Sequence, residues 1–380
     1  MLTKSSLFDL VGDLVVYRNI DPVDRRLPRF ADAWQEMGLA SPERPRKQEP
    51  AYAQALTWLI RRARGLNAPG VEIEELLFIG DTALSDAGAF RSLRDAGGWR
   101  GWAFIGSERD EELAVNIKDG VFGANRWAAL AEFISWAMNQ GAALDARTAV
   151  IVDIDKTALA ARGRNHGPID QARVAAIEAT VADALSADFD QTMFRRAYAT
   201  LGDPKYHPFT ADNQDNLAYI CLMLSAGVST LDALLAGLAG GQITSFREFM
   251  DWVDAIRDDL PNPALQALHA DIYALVQAGD PTPFKAFRRR ELRETIDRMG
   301  SLPDDAPLAQ RLVEEICLTR EVVDVVNRLR NRGCLLMALS DKPDEATMPT
   351  PELAARGYLP LHRVETHIIG QSIADLLPEG

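Results

Sequence analysis

The chain has few cysteines and no long apolar run. Its cysteines, Cys221, Cys317 and Cys334, lie far apart in apolar contexts, unlike a disulfide framework or a zinc site. We interpret them as buried thiols. No apolar run reaches the ~18 residues of a membrane helix, and the start lacks the apolar core of a secretory signal. These absences predict a cytoplasmic protein that does not enter a membrane.

Basic residues are scarce relative to acidic ones. The 41 lysines and arginines face 55 aspartates and glutamates, and the net charge is −14. Such a charge repels polyanions and offers no basic surface for a nucleic acid backbone. We therefore expect no nucleic acid partner. A protein of this charge that handles a phosphorylated small molecule needs a metal ion or well-placed cations at its site.

Short apolar runs alternate with amphipathic stretches. The runs predict buried strands and the stretches predict helices. The predicted strands are residues 14–17, 75–79, 101–105, 149–154, 334–339 and 364–369, and the helices between them include residues 50–65, 126–140 and 321–332. This alternation predicts an α/β fold with a doubly wound parallel sheet.

The interval between residues 157 and 320 differs from the rest of the chain. It is rich in Ala and Leu and has mostly helical periodicity. A chain of 380 residues also exceeds the ~250 to 300 residues at which single cores usually stop growing. We predict an all-helical insert, residues 158–320, that splits an α/β core made of residues 1–157 and 321–380.

Two carboxylates follow one of the apolar runs. Asp153 and Asp155 come directly after residues 149–152, and open α/β sheets bind ligands outside the carboxyl ends of their strands. Two carboxylates ~4 Å apart repel by about 4 kcal/mol at an effective dielectric of 20, so a site that keeps both charged usually holds a cation. Magnesium is the common ion for such oxygen ligands. The alternative is a helix cap, for which one aspartate is enough.

The segment DIDKT at 153–157 resembles the first motif, DxDxT, of the haloacid dehalogenase superfamily. The resemblance implies that Asp153 is a nucleophile and Asp155 an acid and base, and that both help to hold Mg²⁺, Asp155 through its backbone carbonyl. Thr157 becomes a candidate for substrate binding. The second aspartate is typical of the phosphatases and phosphomutases of the family.

Two further segments resemble other motifs of this family. Ser340 ends an apolar run and fits the second motif, whose hydroxyl binds the phosphoryl group; the alternative is a serine that starts a turn. Gly80, Asp81 and Asp86 follow another apolar run and fit the fourth motif. There the glycine allows close approach of the backbone, and the carboxylates are metal ligands, directly or through water.

The third motif of the family is a lysine that neutralises the nucleophile and the phosphoryl group. Lys47, which leads into a predicted helix, is the preferred candidate, although the usual Lys-Pro pair is absent. Lys342, in the turn after Ser340, is the rival and a candidate contact for the substrate.

The motifs occur in an unusual order, because the third and fourth precede the first and second. A circularly permuted chain with one composite site explains this order. The alternative is a decayed second copy, since residues 7–15 echo the opening of the family with Asp9 in the nucleophile position. Too few residues separate Val16 from Lys47 for the missing strand and helices of such a copy, so we interpret Asp9 as non-catalytic.

The predicted insert corresponds in position to the cap that covers the site in many members of the family. Arg162, Arg164 and His166 follow the first motif, where a flap would reach the entrance, and are candidates for substrate binding. A solvated loop is the alternative interpretation.

These features predict a magnesium-dependent phosphoric monoester hydrolase that acts on a small phosphorylated metabolite through a phosphoaspartate at Asp153. One alternative is a phosphomutase or other phosphotransferase with the same intermediate. The other is a non-catalytic binding or scaffold protein that retains the fold.

Overall fold

The computed structural model describes residues 3–47, 49–185 and 189–378. The chain divides into two compact units, of which the first comprises Met1–Gln171 with Thr295–Gly380 and the second Ala172–Glu294. The second unit is shorter than the predicted insert, because residues 158–171 and 295–320 pack within the first unit.

The described residues form ten strands. They are β1 Lys4–Ser5, β2 Val15–Val16, β3 Glu75–Gly80, β4 Arg100–Gly106, β5 Val115–Lys118, β6 Val121–Ala124, β7 Thr148–Asp153, β8 Leu318–Thr319, β9 Leu335–Leu339 and β10 Thr366–Ile369. Seven of them form one sheet in the order β2-β9-β7-β3-β4-β6-β5, and the other three form a small sheet in the order β1-β10-β8. The large sheet is parallel except for the hairpin of β5 and β6.

The helices fill the intervals between strands in the first unit. They are α1 Leu7–Val11, α2 Phe30–Ala33, α3 Pro50–Asn67, α4 Asp86–Gly97, α5 Leu130–Asn139, α14 Leu308–Glu314, α15 Arg320–Asn331 and α16 Pro351–Ala355. The described elements of the second unit are helical: α6 Gly167–Leu185, α7 Gln191–Leu201, α8 His207–Thr210, α9 Gln214–Ser225, α10 Leu231–Ala239, α11 Phe246–Ala255, α12 Pro263–Gln277 and α13 Lys285–Ile296, of which α6 and α13 cross its boundaries. Among the described helices, none has the length and apolar character needed to cross a membrane.

The predicted α/β architecture with a mostly parallel sheet is confirmed. Five of the predicted strands coincide with β2, β3, β4, β7 and β9. The predicted strand at residues 364–369 contains β10, which belongs to the small sheet instead. The hairpin of β5 and β6 was not predicted, because β5 is exposed along its whole length and carries no continuous apolar run.

The three central strands determine where a site can form. Every residue of β3, β7 and β9 is buried, as expected for parallel strands covered on both faces. Leu56 of α3 packs with Phe78, Ile151 and Met337 in the core of this sheet. The strands also end level with one another, since Ile79 pairs with Val152 and Asp153 with Leu339. The residues that follow these strands therefore meet at one edge of the sheet.

Candidate active site

Three buried carboxylates meet at this edge. Asp153 is the last residue of β7, Asp81 follows β3 and Asp86 begins α4. Each offers an oxygen atom, and these atoms all lie within 4.8 Å of one another. Since buried charges are tolerated only when they are paired or bind a metal, the cluster requires cations.

Lys47 lies inside this cluster. Its Nζ donates to Asp86 Oδ1 at 2.8 Å and to Asp153 Oδ1 at 3.5 Å, and it lies 3.7 Å from Asp341 Oδ2. Burial disfavours the charged lysine, but Asp153, Asp341 and Asp86 outweigh it and hold the pKa of Lys47 well above its usual value. Burial, followed by the charge of Asp86, raises the pKa of Asp153, while Lys47 acts in the opposite direction.

Asp86 organises the turn after β3. Its Oδ2 accepts from the backbone N–H groups of Asp81 and Thr82, at 3.0 and 2.9 Å, and from Thr82 Oγ1 at 2.8 Å. A Cβ at Gly80 would lie 2.6 Å from the Cβ of Asp86, so the turn requires glycine there. Burial opposes ionisation of Asp86, but Lys47 outweighs it and lowers the pKa to about 2. With these donors in place, Asp86 is suited to position Asp81 and Lys47, and to reach a metal through water.

Asp81 has a different cation as its partner. Its Oδ2 accepts from Nε of Arg162, in the loop between β7 and α6. Burial raises the pKa of Asp81 to about 7, although the Arg162 guanidinium acts in the opposite direction. The guanidinium thus lies where a metal ion bound to Asp81 would have to compete with it.

Asp155 belongs to a second set of contacts beside the cluster. Ser340 Oγ donates to its Oδ2 at 2.8 Å, and Lys342 Nζ donates to its Oδ1 at 2.9 Å. The backbone N–H of Lys342 donates to Ser340 Oγ at 3.0 Å. The side chain of Asp155 is not a member of the group of three carboxylates. The two candidate lysines therefore serve different carboxylates, Lys47 that of Asp153 and Lys342 that of Asp155.

Two of the predicted substrate contacts form no side-chain hydrogen bond to the three carboxylates within the described residues. Thr157 is fully buried, and its hydroxyl has no hydrogen-bond partner among the described residues. Arg164 donates to both carboxylate oxygens of Glu321, at 3.0 and 2.7 Å, and to Glu108 at 2.9 Å. The position of Thr157 and the ion pairs of Arg164 give their predicted roles in substrate binding no support.

Arg162 and His166 line a cavity of about 590 Å³ together with Asp81, Arg109 and Asn116. His166 Nδ1 accepts from the backbone N–H of Gly163 at 3.0 Å. Burial and then Lys156 lower the pKa of His166. Of the loop residues predicted to contact substrate, these two are the ones beside Asp81.

The sequence reasoning assigned no role to Asp341, which contributes to the field around Lys47. Its position between Ser340 and Lys342 was the available signal, because a carboxylate within a motif turn reaches the same edge of the sheet.

No family model matches the chain, and neither the curated proteins nor the solved structures contain a match.

Replacing Lys47 with methionine should destabilise the protein strongly. The buried carboxylates would lose their cation, and breaking a buried ion pair in this way costs about 3 to 5 kcal/mol. Denaturant unfolding at neutral pH measures the effect. Lys205→Met, at an exposed lysine outside the cluster, is the control and should change stability by less than about 0.5 kcal/mol. Equal effects of the two substitutions would contradict the pairing of Lys47 with the cluster.

Asp344, two residues after Lys342, allows a prediction about how the stability of the protein depends on pH. Burial, then Asp21 and Glu345, raises the pKa of Asp344 to about 6, and its Oδ1 has no hydrogen-bond partner among the described residues. The folded chain therefore holds this proton more tightly than the unfolded chain, and stability falls as the pH rises from about 4 towards 6.

Asp344→Asn should remove this contribution. Near pH 4 the substituted and unmodified proteins should have the same free energy of unfolding. Above pH 6 the substituted protein should be more stable by roughly 1 to 2 kcal/mol, a value that we reduced because the side chain is partly exposed. Unfolding curves across this range provide the measurement. Asp258→Asn is the control, because that side chain is 97% exposed. A gain that does not vary with pH would count against the raised pKa.

Proposed function

We propose that the chain is a magnesium-dependent phosphoric monoester hydrolase of the haloacid dehalogenase type, with Asp153 as the nucleophile. One observation carries the proposal. The side chains that match the motifs of that family come from distant parts of the chain and follow or flank three adjacent strands. They are Lys47, Asp81, Asp153 and Ser340.

The strand order supports one composite site in a permuted chain. The strand of the first motif, β7, lies between β9 of the second motif and β3 of the fourth. Asp9, the nucleophile position of the possible second copy, instead accepts from the backbone N–H and the hydroxyl of Ser6, at 2.9 and 2.8 Å, and caps α1.

The donor set fits Mg²⁺, which prefers carboxylate and carbonyl oxygens. Asp153 and Asp81 would hold the ion directly, with the backbone carbonyl of Asp155 as the resemblance implies and Asp86 through water. When bound, the ion would neutralise charge on the phosphoryl group. Lys47 supplies a fixed cation beside Asp153 for the same purpose.

The remaining steps use side chains of this chain. The Asp153 carboxylate attacks phosphorus, the bond between phosphorus and the ester oxygen breaks, and Asp155 gives the leaving alkoxide a proton. Water then attacks the phosphorus of the phosphoaspartate and Asp155 takes a proton from the water. The bond between phosphorus and the Asp153 oxygen breaks, which releases inorganic phosphate and restores the carboxylate. Ser340 and Lys342 donate to Asp155 and hold it in place. When substrate binds, the hydroxyl of Ser340 would turn from Asp155 to a phosphoryl oxygen, as the resemblance implies, and Lys342 has further N–H groups to donate.

The cavity beside Asp81 suits a small phosphorylated metabolite. Its volume of about 590 Å³ falls within the ~300 to 1,000 Å³ typical of small-molecule sites. A phosphomutase or another phosphotransferase would use the same side chains with an acceptor other than water. The predicted role of the helical unit as a cap remains a prediction.

One observation favours the non-catalytic alternative. Arg162 is paired with Asp81 and thereby supplies positive charge where the proposed ion would bind. A binding protein that had lost its metal would have this arrangement, so the affinity for the ion distinguishes the two functions.

Asp153→Asn should abolish phosphatase activity. The amide is a far weaker nucleophile than the carboxylate, and loss of a nucleophile lowers kcat by at least ~10³-fold. Release of inorganic phosphate from a panel of phosphate monoesters, with and without Mg²⁺, measures the effect. Asp9→Asn is the matched control and should retain activity. Hydrolysis that survives Asp153→Asn would remove the central assignment.

Arg162→Gln should tighten binding of Mg²⁺. The substitution removes the positive charge that competes for Asp81 but keeps a hydrogen-bonding side chain. Because Arg162 is partly exposed, we expect roughly a 5- to 10-fold lower Kd, or about 1 kcal/mol. Titration calorimetry measures it without substrate.

Arg109→Gln, at an exposed arginine of the same cavity, serves as the control and should leave the affinity unchanged. Weaker binding in Arg162→Gln would show that the guanidinium supports the ion instead of competing with it. Binding absent from every variant would favour the non-catalytic alternative.

A further inference from the structure

The outer strand of the large sheet, β5, is unusually exposed. It is the last strand in the sheet order, and residues 111–119 are all exposed. Val115 and Ile117 alternate along it, 40% and 47% exposed, and Leu113, two residues before Val115, is 59% exposed. Because alternate residues of a strand share a face, these three form one apolar stripe.

The backbone of β5 leaves hydrogen-bonding groups unpaired along its outer edge. Asp119 and Gly120, with φ of 51° and 79°, form the two-residue turn to β6. The N–H of Asn125 donates to the carbonyl of Ala114 at 3.2 Å, so by the alternation of an antiparallel ladder Ala114, Asn116 and Lys118 bond to the β6 side. The N–H and C=O groups of residues 113, 115 and 117 are therefore directed outward.

Such an edge favours pairing with another strand. Monomeric proteins usually protect exposed edges with proline, several charges or a bulge. Residues 113–118 contain no proline and only one charge, that of Lys118. The residues just before β5 are fixed to Asn125, because Asn125 Nδ2 donates to the carbonyl of Glu112 at 2.7 Å and the N–H of Ala114 donates to Asn125 Oδ1 at 2.8 Å.

We propose that β5 pairs in antiparallel fashion with β5 of a second copy of this chain, across a two-fold axis at Val115. The outward groups of residues 113, 115 and 117 then bond to the same groups of the partner. Val115 lies opposite its own copy, and Leu113 lies opposite Ile117 of the partner subunit. The two large sheets become continuous.

Charge complementarity selects this register and this occupant. Glu112 lies opposite Lys118 of the partner subunit, twice across the axis, and neither residue forms an ion pair within the described part of the chain. If the partner strand is shifted by two residues in one direction, Leu113 lies opposite Asp119 of the partner subunit. If it is shifted by two residues in the other direction, Ile117 lies opposite Glu111 of the partner subunit. The register centred on Val115 sets apolar side chains opposite apolar ones and Glu112 opposite Lys118, and it leaves the like charges of Glu111 and Asp119 at the two ends, outside the paired residues. The pairing ends at Asp119, where the hairpin turn begins.

The proposed dimer does not depend on the proposed catalytic function. It would nevertheless place the partner's strand beside the cavity, because Ala114, Val115 and Asn116 are part of its lining. The partner would then border the cavity next to Asp81 without providing a catalytic residue.

The molar mass of the full chain in solution tests the dimer. Sedimentation equilibrium over a range of concentrations should give twice the chain mass of 41.8 kDa for the unmodified protein. Val115→Lys should halve the mass, because two lysines would face each other across the axis. Leu376→Lys, at a side chain 61% exposed elsewhere in the first unit, is the control and should remain dimeric. A monomer at all concentrations, or a dimer that survives Val115→Lys, would overturn the proposal.

Charge exchange tests the register independently of apolar contact. Glu112→Lys and Lys118→Glu should each raise the dimer Kd about 5-fold or more, since each places like charges opposite one another twice. The double substitution should restore the original Kd. Circular dichroism checks that each variant is folded. Absence of restoration in the double variant would refute the register centred on Val115.

Discussion

The compensation of buried negative charge at the ends of three central strands is the constraint on which the site depends. Asp81, Asp86 and Asp153 lie within contact of one another, and carboxylates so close cannot all remain charged without cations. Lys47 supplies one cation from the loop before α3, and Arg162 supplies another from the loop after β7. These two cations bring segments from distant parts of the sequence to one edge of the sheet, and they explain why an acidic chain has a buried lysine there.

The charges are divided into two sets, and the division has chemical consequences. Asp153 lies in the buried cluster with Lys47, whereas Asp155, two residues later, is held by Ser340 and Lys342. Two carboxylates in different environments can take different roles, one as a nucleophile and one as an acid and base. Asp86 accepts directly from Lys47, and its three other donors fix the turn that carries Asp81. The two carboxylates that the proposed mechanism uses therefore lie in different hydrogen-bond environments.

The sequence was informative where burial is continuous and uninformative where contacts are distant. The strands that end in Gly80, Asp153 and Leu339 were predictable because fully buried parallel strands are apolar at every position. Asp153 and Asp155 were predictable as site candidates because open α/β sheets bind ligands outside the carboxyl ends of their strands. Ser340, Asp81 and Asp86 became candidates through the resemblance to the family motifs. The pairing of Arg162 with Asp81 was not, because it joins residues 81 positions apart and leaves no periodic signal. The ion pairs of Arg164 with Glu108 and Glu321 were hidden for the same reason, and an arginine in a loop was assigned to the substrate instead.

The echo of the family motif near the N-terminus bears on how the composite site arose. A decayed second copy would leave carboxylates without a present use, yet Asp9 caps α1 through Ser6. Asp13 accepts from Arg363 at 2.8 Å and lies 2.9 Å from His362 Nε2, so it fastens the N-terminal segment to the C-terminal one. Asp13 thus joins the N-terminal and C-terminal segments, whereas Asp9 acts within the N-terminal segment. Both aspartates therefore have structural roles in the fold, which agrees with our proposal of one composite site.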